Sequence, residues 1–108
     1  MLPEFDKNWA SMGLNDNDLR RLQEELLFNP EKGDVMQGTG GLRKLRFAFE
    51  GKGKSGSVRV CYVDFAVYES TYLITAYPKS EKDNLSKSER NSIAKVIKAL
   101  ESALSEKE

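Results

Sequence analysis

Three stretches decide how this chain is built: Lys44-Leu-Arg-Phe-Ala-Phe49, Val58-Arg-Val-Cys-Tyr-Val-Asp-Phe65 and Tyr72-Leu-Ile-Thr-Ala-Tyr77. In the first, Leu45, Phe47 and Phe49 alternate with Lys44, Arg46 and Ala48, the period-two pattern of a strand with one buried face. Lys44 and Arg46 therefore share the other face. The second stretch is apolar almost throughout, which predicts a strand buried on both faces. The third follows a short turn around Tyr68 to Ser70 and ends at Pro78, so the last two strands read as an antiparallel hairpin.

Helical signals flank these strands. Leu14-Asn15-Asp16-Asn17-Asp18-Leu19 reads as a helix start, with Asn15 as cap, acidic residues in the first turn and Leu14 stapled to Leu19. Leu19, Leu22 and Leu26 continue one apolar stripe, and Asn29-Pro30 ends it, because the residue before proline avoids helical dihedrals. A shorter helix over Asp6 to Ser11, anchored by Trp9, precedes it. Near the other end, Ser86-Lys-Ser-Glu89 matches a capping box, and Ile93, Ile97, Leu100 and Leu104 mark a closing helix. Two helices, three strands and a helix, in that order, imply an α+β layer in which helices cover one face of an antiparallel sheet.

At 108 residues the chain fits one domain, residues 1–108, with one modest core. It is 39% hydrophobic and 31% charged, too apolar for disorder. No apolar run approaches the roughly 20 residues of a spanning helix, and the start lacks the pattern of a secretory signal, so a cytoplasmic protein without membrane association is expected. Cys61, the single cysteine, sits in an apolar run and reads as a small buried hydrophobe. There is no histidine, which removes histidine-based triads and imidazole or multi-thiolate zinc sites. No metal and no cofactor are expected.

The net charge of zero hides a polarised chain. From Leu42 to Arg59 there are six cations (Arg43, Lys44, Arg46, Lys52, Lys54, Arg59) against Glu50 alone, whereas Leu14 to Asp34 carries six acids against Arg20, Arg21 and Lys32. The acidic side chains are spread around the first long helix and read as a solvated face rather than a paired-carboxylate site. Trp9 and Phe28 read as core or partner-facing. Gly51-Lys-Gly53-Lys-Ser-Gly56 satisfies a three-glycine dinucleotide pattern, but a strand follows where that pattern needs a helix. Gly53-Lys54-Ser55 likewise fails as a phosphate loop, since Ala48 stands where its leading glycine belongs.

The basic group is the feature left. Lys44 and Arg46 project from one strand face, Arg59 lies on the next strand, and Lys79 and Lys82 follow the third. Gathered on an open sheet face, such cations form a concavity for phosphate. Tyr62, Tyr72 and Tyr77 either add stacking surface for an unpaired base or are ordinary sheet residues.

The block Asn29-Pro30-Glu-Lys-Gly33-Asp-Val-Met-Gln-Gly-Thr-Gly-Gly41-Leu-Arg-Lys44-Leu-Arg46-Phe, then Gly51-Lys-Gly-Lys-Ser-Gly-Ser-Val-Arg59-Val and Leu73-Ile-Thr-Ala-Tyr77-Pro-Lys79, resembles the HigB-type branch of RelE-like toxins, and the likeness runs from about Phe5 to the closing helix. The resemblance implies a RelE-like fold with a sheet of three to four strands. The family usually adds an N-terminal strand, which the few residues before Phe5 leave short or absent. It implies the toxin of a type II toxin-antitoxin system: a metal-independent endoribonuclease that cuts messenger RNA on the translating ribosome. Its partners would be the ribosome, messenger RNA and a cognate antitoxin of helix-turn-helix type, with operator DNA reached only through that antitoxin.

By position in the family, Lys44 and Arg46 match the basic pair of the first central strand, Arg59 the arginine after the basic loop, and Lys79 a basic residue after the last strand. Arg46 and Arg59 are then the expected stabilisers of transition-state charge, because guanidinium forks grip phosphate oxygens and stay charged. Lys44 or Lys79 is the expected proton-transfer group, since clustered like charges ease loss of an ammonium proton. Leu85 stands where several relatives carry a tyrosine for proton transfer, with Tyr77 a possible substitute. Arg43, Lys52, Lys54 and Lys82 are expected to bind nucleic-acid phosphates. Arg59→Ala is expected to abolish toxicity without unfolding the chain. The alternatives are a ParE-like toxin that blocks DNA gyrase by protein contacts, and a non-catalytic RNA-binding module.

Overall fold

The computed structural model describes residues 2–48, 57–79, 81 and 84–106. Helices α1 (Pro3–Ser11) and α2 (Asp16–Phe28) precede strands β1 (Asp34–Val35), β2 (Arg43–Ala48), β3 (Ser57–Phe65) and β4 (Ser70–Pro78), and α3 (Lys87–Glu106) follows. The strands form one antiparallel sheet in the order β1-β2-β3-β4. This is the expected α+β class with a fourth strand added by β1, which pairs Asp34 with Lys44 and Val35 with Arg43. No strand precedes α1 among the described residues; Leu2 N–H instead donates to the Leu73 carbonyl on the outer edge of β4. No described helix is long and apolar enough to cross a membrane.

Local chemistry sets the helix ends. Asn15 accepts from Asp18 N–H at 2.9 Å while the Asp18 carboxylate accepts from Asn15 N–H at 3.1 Å, a reciprocal cap that satisfies two backbone donors. Leu14 is buried and Leu19 packs against the same cluster, as a staple requires. α1 begins earlier than expected, at Pro3, whose fixed φ suits a first helical position. Ser86 and Glu89 cap α3 the same way, at 2.8 and 3.1 Å. Ser86→Ala is expected to lower stability by about 1 kcal/mol, read as a lower thermal midpoint, while leaving the rest of the fold intact.

Helices cover both faces of the sheet, not one. β3 alternates its side chains between two cores: Val58, Val60 and Tyr62 join Phe5, Trp9, Leu22, Leu26, Leu45 and Phe47 under α1 and α2, whereas Cys61, Val63 and Phe65 join Ile74, Tyr77, Leu85, Ile93 and Ile97 under α3. A strand apolar on both faces must be covered on both, and α3 supplies the second layer. A register shift between Cys61 and Tyr62 pairs Cys61 with Thr75 but Tyr62 with Leu73, so Leu73 and Ala76, three residues apart, serve the same core. Trp9 is buried and stacks on Phe5 at 5.3 Å, while Phe28, at 93% exposure, projects from the end of α2.

Candidate functional site

Lys44 and Arg46 are two residues apart on β2 and share a face, because side chains alternate along a strand. Their neighbours Leu45 and Phe47 point into the opposite core under α1 and α2. β3 brings Arg59 directly opposite Arg46, and β4 brings Tyr77 directly opposite Arg59. Arg46, Arg59 and Tyr77 thus occupy one rung across three strands, on the face that α3 covers farther along. Arg46 is exposed, Lys44 half-buried and Arg59 only 4% exposed.

Like charges at paired positions of neighbouring strands disfavour the sheet unless an anion relieves them. Phosphate oxygens do so through charge-assisted bonds, which guanidinium forks make in pairs. The register puts Arg46 and Arg59 at such paired positions.

Lys44 is not left to solvent. Its Nζ donates to the Asn84 Oδ1 at 2.5 Å, across 40 residues of sequence. Asn84 lies in the connection from β4 to α3, which crosses toward β2 at this point. It is followed by Leu85, 5% exposed in the core with Tyr77 and Ile93, and by the Ser86 cap. Leu85 is thus a core residue, and the side chain before it reaches the basic face.

The other expected residues fall in several places. Lys79 is exposed in the turn after β4. Tyr77 is 4% exposed and packed under α3. Lys52, Lys54 and Lys82 lie outside the described residues, as do Phe49 and the glycine pattern from Gly51 to Gly56. Arg43 separates from Lys44 and Arg46: it is on the α1–α2 side, where Nη1 donates to the Glu31 and Gly33 carbonyls at 3.1 and 2.7 Å. The alternation that unites Lys44 with Arg46 puts Arg43 on the other face of the sheet, where its guanidinium ties β2 to the backbone of residues 31–33.

Two tyrosines also have structural duties. Tyr62 is fully buried; its hydroxyl accepts from Gly33 N–H at 2.9 Å and donates to the Pro30 carbonyl at 2.7 Å. Burial pushes its phenol above the ordinary tyrosine value, against the smaller opposing effects of the Gly33 bond and nearby Arg43. It offers no stacking surface. Tyr72 packs edge-on against Phe65, with ring centres 6.0 Å apart.

A cleft of about 520 Å3 runs along β4 between α1 and α3, with Glu4, Glu81 and Glu89 among its lining residues. Carboxylates repel phosphate, so this cleft is the wrong place for RNA despite its size. Among the described residues, no three or more His, Cys, Asp or Glu side chains gather as a metal-holding group.

A family model for the RelE toxin of the RelE / RelB toxin-antitoxin system matches residues 3–108. The match takes in both core layers, the basic rung and the Lys44–Asn84 contact, and membership implies a cognate antitoxin as partner: the chain belongs to the RelE toxin family.

Proposed function

We propose that this toxin is a ribosome-dependent endoribonuclease of the HigB-type branch, cutting messenger RNA in the decoding site and so halting translation. The observation that carries the reading is the meeting of Lys44, Arg46 and Arg59 on one face of two paired strands. RNA contains its own nucleophile. The 2′-oxygen attacks the adjacent phosphorus, the bond to the 5′-oxygen breaks, one proton leaves the 2′-hydroxyl and one reaches the departing 5′-oxygen. The enzyme's task is to align that attack and to neutralise the added phosphorane charge.

In this reading Arg46 and Arg59 grip the non-bridging oxygens, with the charge stabilisation that fixed donors supply. Lys44 transfers a proton, Lys79 contacts the strand at the sheet edge, and Tyr77 shapes the floor beside Arg59. Lys52, Lys54 and Lys82 grip messenger or ribosomal phosphates. The partner antitoxin is a helix-turn-helix protein that carries the pair to operator DNA.

Purified toxin incubated with messenger RNA, with and without translating ribosomes, tests the reading. Cleavage is expected only with ribosomes, and it should weaken as salt rises, because bound phosphates release counterions. Intact messenger RNA after induction, together with loss of gyrase supercoiling, would instead identify a ParE-like toxin. Ribosome binding with no cleavage would leave only an RNA-binding module.

A further inference from the structure

We infer that Asn84 is a positioning residue for the cleavage reaction: its side-chain carbonyl holds the Lys44 amine at the scissile phosphate. The inference rests on the nuclease reading above and adds to it a residue from outside the sheet.

A lysine side chain has four rotatable carbon–carbon bonds and carries about 2 kcal/mol of rotamer entropy, so a lysine on an open sheet face samples many positions. Proton transfer needs it in one, within hydrogen-bond reach of the reacting oxygen. Asn84 Oδ1 accepts from Lys44 Nζ at 2.5 Å and singles out one of those positions. The acceptor is itself held. Leu85, the next residue, is buried with Tyr77, Ile93 and Ile97, and Ser86 closes the capping box of α3 with Glu89. A buried anchor and a helix cap directly after Asn84 fix the backbone that presents it.

The acceptor's chemistry also suits the role. An amide oxygen takes one hydrogen bond without adding negative charge, so it orients the amine without placing an anion on the basic face. A carboxylate in the same place would bind the ammonium form more tightly and compete with the RNA for all three cations. The remaining N–H bonds of Lys44 stay available to the substrate.

Single-turnover cleavage on programmed ribosomes gives the test. Asn84→Ala should slow the chemical step by roughly 10- to 100-fold, the scale of a small misplacement of a catalytic group, with ribosome affinity and thermal midpoint near wild type. Asn84→Asp should cleave, but with the limb of the pH profile that belongs to the lysine moved to higher pH. A double-mutant cycle separates positioning from a general loosening of the loop: in a Lys44→Ala background, Asn84→Ala should cost nothing further. If Lys44→Ala abolishes cleavage while Asn84→Ala leaves it unchanged, or if the two losses multiply, Asn84 does not act through Lys44. If Lys44→Ala cleaves like wild type, the nuclease reading of this face fails first, and the role of Asn84 with it.

Discussion

Arg46→Ala should reduce ribosome-dependent cleavage by roughly 100- to 1,000-fold, the usual loss when one donor to a developing oxyanion is removed. Its stability should stay within about 0.5 kcal/mol of wild type, because the side chain is exposed and fills no core space. Removing one of two arginines at paired positions also removes a like-charge pairing across the β2–β3 pair, so the thermal midpoint should hold or rise slightly. Lost activity without lost stability is the signature of a functional cation. Arg46→Lys restores charge but not the planar fork, and should recover only part of the rate. An Arg46→Ala protein that cleaves at the wild-type rate would remove this residue from the chemistry.

Arg59 is the less decisive target. At 4% exposure its truncation opens space beside the core as well as removing charge, so Arg59→Ala is expected to lower stability and activity together, contrary to the expectation of an intact fold. Arg59→Lys, compared with Arg46→Lys at matched stability, separates the two contributions.

Features encoded within a few residues were legible in the sequence. Asn15, the Ser86-to-Glu89 box and the leucine and isoleucine stripes each act over one or two helical turns, and the alternation in β2 marks Lys44 and Arg46 by itself. Features that depend on distant partners were not. β1 is two residues long and exists through its pairing with β2 and the closure of the following loop, where Met36 N–H donates to the Leu42 carbonyl and buried Thr39 bridges the turn. The opposition of Arg46 and Arg59 depends on register, which no single strand specifies. Asn84 meets Lys44 across 40 residues and carries no local mark of that contact. Tyr62 misleads for a different reason: a tyrosine serves equally as a stacking plate or as a core residue with one polar handle, and only the positions of Pro30 and Gly33 decide between them. The second helical layer was implicit in the two-sided apolar character of β3, which one layer of helices cannot cover.

The largest effects on stability should come from the contact between Tyr62 and Gly33. Tyr62→Phe deletes the hydroxyl that accepts from Gly33 N–H and donates to the Pro30 carbonyl, stranding a buried donor; the expected cost is about 1–3 kcal/mol. Gly33→Ala attacks the same place sterically. A methyl group there would lie 2.9 Å from Tyr62 Cε1 and 3.0 Å from the Lys44 carbonyl oxygen, and the second of these is backbone that cannot swing aside. Such overpacking costs about 1–3 kcal/mol. Because it presses on β2 at Lys44, Gly33→Ala should also slow cleavage, whereas Tyr62→Phe should act mainly on stability. The two changes share one contact and should not add.

The same phenol imposes a pH limit. Burial raises its titration point above the value of about 10 that an unfolded tyrosine shows, so the folded state holds this proton more tightly. The stabilisation is complete below that unfolded value and is lost as pH rises through the folded one, because the unfolded chain then binds fewer protons than the native chain. Wild-type stability should therefore fall as pH climbs above about 10, and the Tyr62→Phe protein, though less stable at neutral pH, should show a shallower decline. Denaturant midpoints measured from pH 7 to pH 11 on both proteins check this. Parallel curves would mean that Tyr62 titrates alike in both states, and that burial does not hold its proton.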